Sequence, residues 1–188
     1  RGYPLAGKST LNRLELAPAE VESDHRYHKI VCQPELVDQF FVEVFLNAHP
    51  EPPSRIILDF DATDDPTHGG QEERFFHGYY GCYCYLPLYI FCDDHLLCAR
   101  LRPSNIDASA GSLAELDRIV NQVRRRWPDV QIIVRGDSGF ARDGMMTWCE
   151  NNGVDYILGL QRNPRLVHAI GQQMKKAKRE FWKSGRAA

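Results

Sequence analysis

The amino-acid sequence predicts an α/β domain built on a mixed sheet, and three observations carry that expectation. Short apolar runs rich in β-branched residues alternate with stretches of helical periodicity, and their order along the chain is βββαβαβα. Two of the runs, Arg55-Ile-Ile-Leu-Asp-Phe-Asp-Ala-Thr63 and Gln131-Ile-Ile-Val-Arg-Gly-Asp-Ser-Gly139, lead into aspartates, Asp61 and Asp137. Such runs read as buried strands, and carboxylates at the exit ends of neighbouring strands in an open α/β sheet sit where these sheets hold ligands.

Each element has its own warrant. Pro34 to Asn47 places Leu36, Val37, Phe40, Phe41, Val44 and Phe45 at helical spacing, so one apolar face is expected to pack on the body. His49-Pro-Glu-Pro-Pro-Ser54 breaks that helix, and the Asp61 strand follows. The polar loop Asp64-Asp-Pro-Thr-His-Gly-Gly70 has the composition of a turn. Tyr79 to Phe91 and Leu96 to Leu101 read as two strands joined by a hairpin at Asp93-Asp94, which makes a three-stranded meander. Ser112 with Glu115 has capping-box spacing, and Leu113, Leu116, Val120, Val123 and Trp127 form the stripe of a helix that stops before Pro128. After the Asp137 strand come a short helix from about Asp143 to Asn152, ended by Gly153, and a strand from Val154 to Leu160. Asn163 and Pro164 stand in N-cap and N1 order before a last helix whose Leu166, Val167, Ile170, Met174, Ala177 and Phe181 share a face.

Composition sets limits on function. The chain has 188 residues and 43% hydrophobic content, enough to bury a real core. No apolar run approaches a membrane span and no signal-peptide zones open the chain, so the expected setting is cytoplasmic with no membrane partner. A formal net charge of -2 gives no global sign of nucleic-acid binding. The local signs are the basic last helix, with Lys175, Lys176, Lys178, Arg179, Lys183 and Arg186, and the run Arg124-Arg-Arg126; either could track phosphates, and a solvated face is the competing reading.

The segments around the two acids go further. Leu58-Asp-Phe-Asp-Ala-Thr-Asp-Asp-Pro-Thr-His-Gly69, Phe76-His-Gly-Tyr-Tyr-Gly81, Tyr85-Leu-Pro-Leu88, Leu101-Arg-Pro-Ser104, Arg135-Gly-Asp-Ser-Gly-Phe140 and Asn152-Gly-Val-Asp-Tyr-Ile157 resemble, in this order, the DDE transposases of the IS1380 family, and Leu5 to Glu15 is similar to the segment preceding their catalytic domain. The resemblance implies a ribonuclease H-like mixed sheet with helices on both faces, its first and fourth strands side by side. It also implies a lead-in at residues 1–54 followed by a partial catalytic domain at 55–188. Asp61 then takes the place of the first catalytic acid and Asp137 that of the second. The family's third acid, a Glu on a later helix beyond an inserted region, is not recognisable; Glu180 lies in a Lys-Arg-Glu-Phe setting that does not match. The resemblance therefore implies a chain incomplete at both ends and inactive alone. Its expected partners are double-stranded DNA, as transposon ends and target, and other copies of the transposase; the alternative role is a non-catalytic remnant that inhibits it.

The chemistry so implied needs clustered hard oxygen ligands for Mg²⁺ or Mn²⁺. Two such ions, about 3.5 to 4 Å apart, activate the attacking oxygen and stabilise the leaving one in an in-line displacement. Asp61 and Asp137 are the expected ligands, with a turn-capping carboxylate as the competing reading for each. Asp59 shares a strand face with Asp61 at the two-residue period and is an accessory candidate, against the plainer reading of a carboxylate paired with a neighbouring Arg. His68 could touch a scissile phosphate or simply be an exposed loop residue, and Arg102 and Arg135 could bind DNA backbone or pair at the surface. Asp64 and Asp65 read as solvated turn residues.

Two other patterns point elsewhere. Gly2-Tyr-Pro-Leu-Ala-Gly-Lys-Ser9 satisfies the P-loop pattern of a nucleotide hydrolase, yet only Arg1 precedes it where a strand is required. Cys82, Cys84, Cys92, His95 and Cys98 could suggest zinc, but their spacing fits neither a ribbon nor a knuckle and core thiols are the better reading.

Overall fold

A computed structural model describes residues 33–185. The P-loop-like run Gly2 to Ser9 and Cys32 lie outside the described residues. Five strands form the main sheet: β1 (Arg55–Ala62), β5 (Leu88–Cys92), β6 (His95–Arg100), β7 (Gln131–Gly136) and β8 (Asp155–Leu158). Their spatial order is β6-β5-β1-β7-β8, with β1, β5 and β6 antiparallel in succession and β1, β7 and β8 parallel. The strand that carries Asp61 thus lies beside the strand that leads to Asp137, as the sequence resemblance implies.

The helices are α1 (Pro34–Ala48), α2 (Ser112–Arg126), α3 (Asp143–Asn151), α4 (Pro164–Ala169) and α5 (Gly171–Ser184). Strand alternation sends Ile56, Leu58 and Phe60 of β1 and Ile132 and Val134 of β7 into one core with Val42 and Phe45 of α1, Leu116, Ile119, Val120 and Val123 of α2, and Met145 and Cys149 of α3. The opposite sheet face carries Ile57, Asp59, Ile133, Arg135 and Ile157, all exposed or half-buried. Among the described residues, the helices that bury side chains are α1, α2 and α3; α4 and α5 bury none.

Several local expectations change. The run from Tyr79 to Phe91 is not one strand. Its first part, β4 (Cys82–Tyr85), joins β2 (Asp65–Pro66) and β3 (Phe75–His77) in a separate antiparallel sheet ordered β2-β4-β3. Leu86 and Pro87 divide it from β5, because proline has no N–H to continue a ladder. In α1 the buried residues are Asp38, Val42, Phe45 and Leu46, while Leu36, Val37, Phe40 and Val44 of the expected face are exposed. Ser112 and Glu115 make no capping box: Gly111 stands at the N-cap and the Ser112 hydroxyl donates to the Ser109 carbonyl at 2.7 Å.

Glu115 instead anchors an ion-pair network that ties three elements together. It accepts from Arg100 of β6 at 2.8 Å and from Arg118 at 2.9 Å, and Arg100 also reaches the buried Asp38 of α1 at 2.6 Å. Arg118 donates further to the carbonyls of Asp38 and Leu97. Burial acts to raise the Glu115 carboxyl, but the two arginines outweigh it and hold it below its ordinary range. The expected Asn163 cap is present, accepting from the Leu166 N–H at 2.9 Å.

Candidate metal and nucleic-acid site

Register builds the site. In the parallel β1–β7 pair, Asp59 lies opposite Arg135 and Phe60 opposite Gly136, the last paired position. Asp61 and Asp137 follow directly on those two partners and emerge side by side at the C-terminal edge of the sheet's centre. Both are exposed. The Asp61 carboxylate has no hydrogen-bond or ion-pair partner among the described residues. Asp137 Oδ1 accepts the Gly139 N–H at 2.7 Å, which fixes the carboxylate.

The loop that bears Asp137 is held from two sides. Arg142, just before α3, donates to Asp107 at 2.7 Å, bridging to the loop after β6. The Ser109 hydroxyl, with help from Arg142 and the Ser109 N–H, pulls Asp107 down to about 2. On the other side Gly159, past the end of β8, donates to the Gly136 carbonyl at 3.0 Å. A Cβ at 159 would lie 3.0 Å from the Ser138 nitrogen and 3.2 Å from the Asp137 carbonyl carbon, tighter than an ordinary contact and against backbone, so the close approach favours glycine.

Tyr80, which carried no role in the sequence reading, marks the convergence of charge. Burial raises its phenol, and Asp64, Tyr79, Asp61 and Asp137 raise it further. Its hydroxyl donates to the carbonyl of Ala62, next to Asp61, at 3.4 Å. Asp64 is half-buried here rather than fully solvated. Its Phe-His-Gly-Tyr-Tyr-Gly setting could have flagged Tyr80, but nothing in the local sequence says that this turn folds back onto the end of β1.

The remaining expected residues are placed differently. Asp59 accepts both Nε and Nη2 of Arg135, the second at 2.6 Å, so these two residues are committed to each other across adjacent strands. Arg102 is half-buried and donates to the carbonyls of Leu86, Ala108 and Ala110 at 2.6 to 3.2 Å, bracing the chain rather than facing solvent. Burial lowers its guanidinium below the usual range. Arg124 caps the end of α3 through the carbonyls of Asn152 and Gly153, and Arg126 donates to Asn47 Oδ1. His68 is exposed in the loop between β2 and β3, and Lys175, Lys176 and Arg179 are exposed on α5. Cys84, Cys92, Cys98 and Cys149 are buried free thiols and Cys82 a half-buried one.

The donor set fits a hard divalent cation. It comprises two exposed carboxylates, one of them without a hydrogen-bond or ion-pair partner among the described residues, in a locality made more negative by Asp64. Among the described residues no three His, Cys, Asp or Glu side chains converge closely enough to hold an ion by themselves.

A mixed sheet in the order β6-β5-β1-β7-β8, with a carboxylate at the end of each of its two central parallel strands, is the arrangement that the resemblance to a ribonuclease H-like domain implies. The family model for the transposase DDE domain, group 1, matches residues 1–187, and the chain belongs to that family. No curated protein matches it in sequence. Among solved structures, the chain is similar to the catalytic domain of the Mos1 mariner transposase at 12% identity and a TM-score of 0.40, over 84% of each chain. It is also similar to the Mos1 mariner paired-end complex with Mn, at 11% identity and a TM-score of 0.41, over 95% of this chain and 63% of that one. A piggyBac transposase synaptic complex with hairpin DNA matches at 13% identity and a TM-score of 0.41, over 61% of this chain and 24% of that one.

Proposed function

We propose that this chain is the catalytic-domain portion of an IS1380-family transposase, and that Asp61 and Asp137 are two of the carboxylates that hold its divalent ions. The observation that carries the reading is the β1–β7 register, which delivers one aspartate from each central strand to the same edge while Arg135 occupies Asp59. Mg²⁺ or Mn²⁺ bound there would supply charge stabilisation for an in-line displacement at phosphorus. The chain's own contribution is to fix Asp137 through Gly139 and Gly159 and to leave Asp61 unneutralised. The substrate is double-stranded DNA, cut at transposon ends and joined to target DNA, in an assembly of more than one transposase copy.

With two carboxylates converging among the described residues, the chain binds metal loosely and cuts little or no DNA. Fusion to a Glu-bearing segment from an IS1380-family transposase tests the reading: it should confer Mg²⁺-dependent nicking that Asp61→Asn or Asp137→Asn abolishes. A fusion that binds DNA yet never nicks would favour the second role, a DNA-binding or transposase-pairing inhibitor.

A further inference from the structure

Two helices of this chain present apolar rows that no described residue covers. On α1, Leu36, Phe40 and Val44 fall four residues apart and are 57%, 59% and 44% exposed. From the junction of α4 and α5 onward, Ile170, Met174, Lys178 and Trp182 form a row of the same spacing; its three apolar side chains are exposed, and neither helix buries a residue. Rows of residues four apart are the ridges by which packed helices interlock. Contiguous apolar exposure of this kind marks an interaction surface.

The two helices are opposite in charge. α1 contains no basic residue, and the row beside its apolar one is Glu35, Gln39, Glu43 and Asn47. Neither glutamate has an ion-pair partner among the described residues; Arg125 and Arg126 of α2 border Glu43 from the α2 side without pairing with it. α5 carries Lys175, Lys176, Lys178, Arg179 and Lys183 against one acid, Glu180, which Lys176 meets at 3.9 Å. Length matches as well. Helices of 15 and 14 residues run roughly 22 and 21 Å at about 1.5 Å per residue.

We propose that α5 of one copy docks on α1 of a second copy, apolar row against apolar row and lysines toward the Glu35–Glu43 row, and that the second copy returns the same contact. Each chain holds one helix of each kind, so two copies that exchange α5 close on themselves as a two-fold dimer and leave neither row open. The contact deepens the assembly of transposase copies proposed above and rests on that reading for its role in transposition. It involves neither Asp61 nor Asp137.

Sedimentation of the full chain, without DNA or metal, reads the contact, and the chain should sediment as a dimer. Phe40→Lys and Met174→Glu should each weaken dimerisation roughly 10-fold or more, and circular dichroism with thermal melting checks that these exposed substitutions keep the fold. Mixing the two variants should restore a dimer, because the intact α5 of the Phe40→Lys copy meets the intact α1 of the Met174→Glu copy. Lys178→Glu should weaken association and Lys178→Arg should keep it. A monomeric parent chain overturns the proposal, since the rows are then covered within one chain or by another partner. A dimer that either variant leaves intact overturns it as well, as does a mixture of the two that stays monomeric. If Lys178→Glu loses binding to a duplex DNA probe and leaves sedimentation unchanged, α5 tracks DNA and the docking falls. All of these results leave Mn²⁺ binding at Asp61 and Asp137 to stand or fail by its own titration.

Discussion

Replacing Glu115 with alanine removes the centre of the only network that links α1, β6 and α2 through charges buried among the described residues. Glu115 is 8% exposed and accepts from both Arg100 and Arg118. Taking one partner out of a buried ion pair costs about 3 to 5 kcal/mol, because the charges left behind lose their compensation. Two features of the structure move the expectation to the lower end. Arg100 is partly exposed and keeps Asp38, and Arg118 keeps the carbonyls of Asp38 and Leu97. A loss of about 3 kcal/mol is large against a typical total of about 5 to 15 kcal/mol. At a urea dependence of about 1 to 3 kcal/mol per molar, the unfolding midpoint should fall by roughly 1 to 3 M. Urea titration followed by circular dichroism measures it. A loss under about 1 kcal/mol, the scale of exposed pairs, would refute the reasoning.

Three further outcomes follow from the same geometry. Gly159→Ala should impair metal binding at the acid pair more than it lowers stability, since its Cβ presses on the backbone of Asp137 and Ser138; calorimetry beside thermal melting separates the two effects. Acid should destabilise the fold as pH drops from about 4.5 toward 2. Glu115 and Asp107 have folded-state values depressed from 4.5 and 3.8, so their contribution is present above those values and is lost as they protonate; urea midpoints across that range test it. Cys92, Cys98 and Cys149, pushed by burial to about 11, 12 and 11, should resist alkylation at pH 8 in the folded protein and react on unfolding, whereas the half-buried Cys82 should be modified before them, as mass spectrometry of partial digests would show.

What the sequence made legible was what periodicity controls. The β-branched runs of β1 and β7, the α2 stripe apart from the exposed Leu113, and the Asn-Pro start of α4 are local patterns whose meaning survives folding. What it concealed depends on contacts remote in sequence. Glu115 has the spacing of a capping residue, and only the approach of β6 brings Arg100 to it. Arg102 and Arg135 sit near strand ends, as phosphate contacts would, but the carbonyls of the 108–110 loop claim the first and Asp59 on the neighbouring strand claims the second. In α1 the apolar residues occupy more of the circumference than one packing face can cover, so Phe40 and Val44 stay exposed while the polar Asp38 is buried by its ion pair. The single last helix that the sequence pattern implies divides at Ile170 into α4 and α5, and neither buries a side chain of its stripe among the described residues. Periodicity reports a face that favours burial and says nothing of what meets it.

The most direct test of the acid pair is calorimetric titration of Mn²⁺ into the chain and into Asp61→Asn, Asp137→Asn and Asp59→Asn. The account predicts weak binding that either Asp61→Asn or Asp137→Asn removes and that Asp59→Asn, whose partner is Arg135, largely keeps. Binding that persists in both Asp61→Asn and Asp137→Asn, or that depends on Asp59 alone, would contradict the site.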